Sequence, residues 1–297
     1  MIDKIINCKF HLRFLINPLV RYLSDMIGDY KGITEIKREV PLIVSLTSFD
    51  ERFDDLELSL YSLFSQSTLP DRIILWFSDE YSLAELPYSV TKYIKNGLEI
   101  RFVKDIGPYT KIIYALKEFG ECVIVTADDD VYYPKNWLEK LYHSYLSAPQ
   151  DIHAHRAHRV VLDTKNQLKP YEKWEKQINE ESARYDNFLT GAGGVLYPPK
   201  CFVNEVFRSD IFLKYSPQND DIWLWFMALV SNRKIRIVKN HIKTLTVTNF
   251  LRQLNLDKSR TLYSQNKKGN DKQLSQLMNF YSNNILQKLN IYGKIRL

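Results

Sequence analysis

The chain has 297 residues, 45% apolar and 26% charged, which is ordinary globular usage and excludes wholesale disorder and low-complexity scaffolds. Its 41 Lys and Arg against 35 Asp and Glu leave a net charge of +6, scattered rather than gathered in runs, so nothing indicates a nucleic-acid surface. Three cysteines with no C-x-x-C pair exclude a disulfide framework and a zinc ribbon, and fit a reducing compartment.

Residues 1 to about 38 are basic and apolar, with no strand-and-turn rhythm. Ile2, Ile5, Ile6, Phe10, Phe14 and Leu15 intermix with Lys4, Lys9 and Arg13. This pattern fits an amphipathic helix that either lies on an anionic membrane or packs on the catalytic domain. No stretch near the N-terminus resembles a signal peptide, and the longest apolar run, Ile222 to Val230, is too short to cross a bilayer. The expected location is the cytoplasm, with peripheral contact on the inner membrane face left open. Residues 39–250 alternate apolar runs with helical patterns and are expected to form one α/β domain; 251–297 are expected to form a polar helical tail.

Leu42 to Leu46, β-branched and apolar after Pro41, predicts a buried strand, and Leu56, Leu60, Leu63 and Phe64 predict the helix that follows. Ile73 to Phe77 reads as the second strand, Tyr88 to Lys95 as a weaker helix and Leu98 to Val103 as the third strand. Gly107-Pro108 breaks the chain before a helix carrying Ile112, Ile113 and Leu116; strand Cys122 to Val125 comes next. Strands alternating with helices imply βαβ units and a parallel sheet covered on both faces, with ligands beyond the carboxyl ends of the strands.

Those strand ends carry the chemistry. Thr47, Ser48, Asp50 and Arg52 follow the first strand, Lys104 and Asp105 the third, and Asp128, Asp129 and Asp130 the fourth. Neither G-x-x-x-x-G-K-[ST] nor G-x-G-x-x-G occurs after a strand, so any bound phosphate is met by a metal or by basic side chains. In an extended segment Asp128 and Asp130 share a face, where a hard divalent ion, Mn2+ or Mg2+, would relieve their repulsion. The competing reading is a solvated acidic turn that caps the next helix.

Asp220 and Asp221 precede an apolar helix and read either as helix-capping acids or as a catalytic base with its neighbour. Gly191, Gly193 and Gly194 allow positive φ and close approach of a ligand to backbone, or simply a bend. His153, His155 and His158, read on one strand, divide between its two faces and make a poor three-histidine metal site. Arg156 in the same stretch is a candidate for binding a phosphate. Trp174, in polar surroundings, is nominated for a lid over a bound ligand.

The strand followed by Asp-x-Asp resembles the metal-binding motif of glycosyltransferases with the GT-A (nucleotide-diphospho-sugar transferase, Rossmann-like) fold. PLIVSLTSFDER at 41–52, SLFSQSTLPDRI at 62–73, GAGG at 191–194 and NDDIW at 219–223 are similar to the ordered motifs of family 2-like bacterial enzymes that build capsule or lipopolysaccharide. That resemblance implies a mostly parallel sheet and a nucleotide-sugar donor, UDP-linked, whose base and ribose meet Thr47, Ser48 and Arg52. It puts Asp105 near base or ribose, Lys111 and Arg156 near the donor phosphates, and Asp128 and Asp129 at the donor. Gly193 and Gly194 would lie under the transferred sugar or acceptor. Asp128 and Asp130 would hold the metal, with His241 completing its shell. Asp221 matches the family's inverting base, with Asp220 its orienting partner or an alternative base. The acceptor would be a hydroxyl of a glycan or lipid-linked glycan. Two rivals stay open: a sugar nucleotidyltransferase, disfavoured because 47–52 contain no glycine, and an inactive glycan- or membrane-binding scaffold of the same fold.

Overall fold

The computed structural model describes residues 31–165, 167–242, 245–249 and 262–281; the amphipathic pattern before residue 20 lies outside them. In chain order the strands and helices are β1 (Leu42–Thr47), α1 (Phe53–Phe64), β2 (Arg72–Ser78), α2 (Tyr88–Thr91), β3 (Leu98–Val103), α3 (Thr110–Phe119), β4 (Val123–Thr126) and β5 (Val131–Tyr132). There follow α4 (Trp137–Ser147), β6 (Ile152–Ala154), β7 (Ala157–Arg159), β8 (Asn187–Leu189), β9 (Val195–Tyr197), α5 (Ser209–Tyr215), α6 (Asp220–Val230), β10 (Ile235–Ile237), β11 (Thr246–Val247) and α7 (Leu262–Tyr281). Contacts divide the described chain into two compact units, one of 31–105, Thr110–Lys140 and 245–249, the other of Ile106–Tyr109, 141–242 and 262–281. Residues 39–250 therefore contribute to both.

The first unit is built as the alternating pattern requires. β4, β1, β2 and β3 lie side by side in that order, all parallel. Leu42, Ile43 and Leu46 in β1 and Ile73, Ile74 and Leu75 in β2 are fully buried, the signature of a parallel sheet covered on both faces. α3 packs on β1 and β2. Ser45 pairs with Thr126 across β1 and β4, so Thr47-Ser48 and Asp128 to Asp130 emerge together just past the carboxyl ends of adjacent parallel strands. The weak helix expected from Tyr88 to Lys95 is one short turn, α2, and then a 3-10 turn over Ile94–Asn96.

In the second unit β10 pairs parallel with β6, and β6 pairs antiparallel with β9. Parallel pairing thus dominates a mixed α/β protein, as the sequence indicates. α6 is apolar on every side, and Ile222 through Leu229 are all buried. α7, from the expected tail, packs on α6 with Leu274 and Leu277 buried. The stretch from His153 to Arg159 is not one strand. It breaks at His155-Arg156, so that β6 runs with β9 and β10 while β7 pairs antiparallel with β8. His153 is a satisfied core histidine, its Nδ1 2.8 Å from Ser144 Oγ and its Nε2 3.1 Å from Ala148 O.

Candidate functional site

In the first unit the three aspartates turn three ways. Asp129 is buried and accepts from Ser48 Oγ at 2.6 Å, so the hydroxyl after β1 holds the central acid of the loop after β4. Asp130 pairs with Arg52, whose guanidinium also stands 3.7 Å from Asp129. Asp128 pairs with Lys111. The lysine faces inward because Trp76 Nε1 donates to Ser45 Oγ at 2.8 Å and that hydroxyl in turn donates to Lys111 O, locking the first turn of α3 onto the sheet. Tyr133 Oη accepts from the Asp128 N–H at 2.8 Å, and Thr248 N–H donates to Asp130 O at 2.9 Å. Tyr133 carries no sequence signal, since a tyrosine beyond a strand usually reads as packing.

Two cations thus face three carboxylates. Burial pushes the Asp129 carboxyl up to about 7, and the neighbouring Asp130 charge adds to the rise. For Arg52, burial opposes the charge, but Asp130 and Asp129 outweigh it and hold the guanidinium above its ordinary range. Of the other expected donor contacts, Thr47 commits its hydroxyl to Trp76 O at 3.0 Å, and Asp105 is exposed, with Thr110 Oγ1 3.3 Å from its carboxylate.

Among the described residues no three His, Cys, Asp or Glu side chains form a group that could hold a metal ion. Asp128 and Asp130 nevertheless present hard carboxylate oxygens with 23% and 31% of their side chains exposed, whereas Asp129 is turned inward. Such a pair does not make a closed protein cage. It fits a divalent ion that arrives with a diphosphate, whose oxygens complete the shell.

In the second unit the question at Asp220 and Asp221, cap or functional acid, has a structural answer. Asn219 is the N-cap of α6, its Oδ1 accepting from Ile222 N–H at 3.3 Å. Neither aspartate is needed for that task. Asp221 accepts from Gly191 N–H at 2.7 Å and lines a cavity of about 330 Å3. Tyr109, stacked on Phe212 at 4.2 Å, donates to the Ser216 and Asn219 carbonyls and so pins the loop that leads into α6. Burial pushes its phenol well above the usual range.

The cavity is also lined by Arg156, His158, Tyr171, Lys176 and Asn270. Gly193 has a steric reason to be glycine, since a Cβ there would stand 3.0 Å from the Arg156 Cβ. Gly194 adopts φ 88°, a region that favours glycine. Burial holds the His158 ring down at about 4; its Nδ1 accepts from Gln177 N–H at 3.0 Å, so it is a neutral wall at pH 7. His241 lies in this unit too, lining a smaller cavity of about 180 Å3 with His155 and Arg156.

Trp174 is not a lid. It is 3% exposed, its Nε1 donates to Lys169 O at 2.9 Å, and it packs with Phe188 and Trp225; Tyr171, three residues earlier, reaches the cavity in its place. Sequence reading missed Asn219 and Asn270 as well. Asn219 Nδ2 donates to Asn270 Oδ1 at 2.8 Å, which brings α7 to the cavity across a separation in sequence that no local pattern reveals.

No family model and no curated relative matches the chain. Among solved structures, similarity extends to the mannosyltransferase PcManGT of Pyrobaculum calidifontis in complex with GDP-Man and Mn2+, at 12% identity over 80% of this chain and 66% of that one, TM-score 0.41. It extends also to the inositol-1-phosphate CTP transferase of T. maritima, at 12% identity over 78% and 98%, TM-score 0.41. A third is CMP:2-keto-3-deoxy-manno-octonic acid synthetase complexed with CTP, at 8% identity over 67% and 89%, TM-score 0.39.

Proposed function

We propose that residues 39–250 form a glycosyltransferase that moves a sugar from a nucleotide donor, UDP-linked, to a hydroxyl of a glycan or lipid-linked glycan acceptor, with inversion, in bacterial surface-polysaccharide synthesis. The observation that carries this reading is the division of labour at the start of α6. Asn219 caps the helix, so Asp221 is left on a cavity wall with its carboxylate oriented by the Gly191 N–H. A carboxylate held that way can take the proton of an attacking hydroxyl, the role of a general base. Asp220 is its neighbour in the first turn.

The donor belongs to the strand ends of the first unit. Ser48, Arg52 and Thr47 follow β1 and would meet base and ribose together with Asp105. Lys111 is a point charge for the diphosphate. Asp128 and Asp130 would hold Mn2+ or Mg2+, while Asp129, clamped by Ser48, keeps the loop in shape. The bound ion would supply neutralisation of the departing diphosphate. His241 is offered as a further ligand, tested by His241→Ala. Gly193 and Gly194 let backbone come close to the substrate.

The first experiment is a donor panel read by melting temperature with Mn2+, followed by transfer assays on the nucleotide-sugar that stabilises most. Asp130→Ala should abolish Mn2+-dependent UDP binding by calorimetry while the fold survives, and unchanged affinity would remove the metal assignment. A nucleotidyltransferase would instead release pyrophosphate from a nucleoside triphosphate and a sugar phosphate, and an inactive scaffold would do neither.

A further inference from the structure

Arg156 and Asp221 line the same cavity, and consecutive residues of one loop hold them there. Thr190 donates to Arg156 O from both N–H and Oγ1, at 3.0 and 3.2 Å. Gly191 donates to the Asp221 carboxylate at 2.7 Å. Opposite charges on the wall of one cavity would be expected to pair. Yet the Arg156 Nε is buried and has no hydrogen-bond partner. A buried guanidinium N–H without an acceptor is costly, and native structures keep one where something else supplies the acceptor.

The rest of the wall does not supply it. His158 gives its Nδ1 to Gln177 N–H, and Glu172 is exposed. Lys176 Nζ is 3.3 Å from the Tyr171 ring centroid and 2.6 Å from Tyr171 O, a second cation held over an aromatic face at the same cavity. An acidic ligand entering here would meet repulsion from Asp221, and Arg156 is the group placed to offset it. At about 330 Å3 the cavity is at the small end of ligand pockets, the size for one terminal residue of a glycan rather than a long chain.

We propose that this cavity takes an acceptor whose terminal sugar carries an oxyanion, a carboxylate or a phosphate, bound by the Arg156 fork while a hydroxyl of the same residue faces Asp221. This rests on the reading of the cavity as the acceptor site and narrows it to an anionic glycan. A guanidinium suits both oxyanions because it binds either through two parallel N–H donors.

The test separates this from catalysis by reading binding alone. Glucuronate, glucose 6-phosphate and glucose are titrated into the full-length protein at fixed ionic strength and followed by saturation-transfer NMR. The same titrations are made on Arg156→Gln, Arg156→Lys and Asp221→Asn, with melting temperatures as the fold control. The expected result is that an anionic sugar binds more tightly than glucose, and that Arg156→Gln weakens it about 10- to 100-fold while leaving glucose unchanged. Arg156→Lys should restore only part, and Asp221→Asn should keep anion binding whether or not sugar transfer is ever detected. Preference for glucuronate alone assigns the carboxylate; preference for both assigns a general oxyanion site. If glucose binds as well as either anion, or Arg156→Gln costs UDP-sugar affinity and spares the anionic sugars, the proposal is overturned. In the second case Arg156 returns to the donor phosphates.

Discussion

The two charged regions solve opposite problems. In the first unit Arg52 and Lys111 already meet the aspartates, so the cluster is largely neutral before any ligand arrives and a ligand must exchange partners to enter. In the second, Arg156 and Asp221 line one cavity and the Arg156 Nε is buried without a hydrogen-bond partner, the donor that the proposed anionic ligand would meet. A self-satisfied cluster contributes to stability and resists intrusion. A buried cationic donor left without an acceptor contributes little to stability and much to recognition.

The largest expected effect tests Asp221. Asp221→Asn should lower turnover by 10²–10⁴-fold, about 3–5 kcal/mol of barrier, with donor and metal affinity nearly unchanged. Stability should also hold, since Asn219 and not Asp221 caps α6. Wild-type turnover beside unchanged UDP affinity, with Asp220→Asn as control, would remove Asp221 as base.

Acid sharpens the contrast next. Burial holds the His153 ring down at about 4, below the ordinary 6.5, so the folded state keeps it neutral while the unfolded chain protonates it. Its stabilising contribution is therefore complete above pH ~6.5 and lost as pH falls through about 4, on the order of 3 kcal/mol. Denaturant midpoints measured across that range should fall in the wild type and flatten in His153→Gln. An equally steep slope in the variant would assign the loss elsewhere.

Arg52→Gln probes the satisfied cluster. Asp129 and Asp130 would lose their guanidinium, and because these side chains are partly exposed the cost should be roughly 2 kcal/mol rather than the larger penalty of a deeply buried pair. Mn2+ should return more melting temperature to this variant than it gives the wild type. No difference between them would mean that metal and Arg52 do not share the carboxylates. Smallest is Asn219→Asp, which keeps the capping oxygen but loses the donation to Asn270 Oδ1, about 1 kcal/mol read from the urea midpoint.

These contrasts were unevenly legible in sequence. The parallel sheet and the acids beyond β4 were readable because a buried strand is a continuous apolar run and the residues after it are in a known place. The inward turn of Lys111 was not legible, because it depends on Ser45 and Trp76 in other elements. Asp220 and Asp221 were ambiguous because three adjacent residues can each cap a helix, and only geometry shows that Asn219 does. Trp174 misled because its sequence neighbours are polar while its packing partners, Phe188 and Trp225, are distant in the chain. The break at His155-Arg156 was hidden because both halves carry strand-compatible residues, and the partners that separate them are far away.

Thr190 and Gly191 have a consequence for how this protein can change. One peptide unit anchors the backbone beneath Arg156 and the next orients Asp221, so the two positions cannot drift independently. Substitutions at Thr190 and at either charged residue should be epistatic, with double variants departing from the sum of the singles. On the proposed roles, a lineage that altered the charge of its acceptor would have to carry Asp221 along through the same two residues, which makes 190–191 a narrow gate for divergence of specificity.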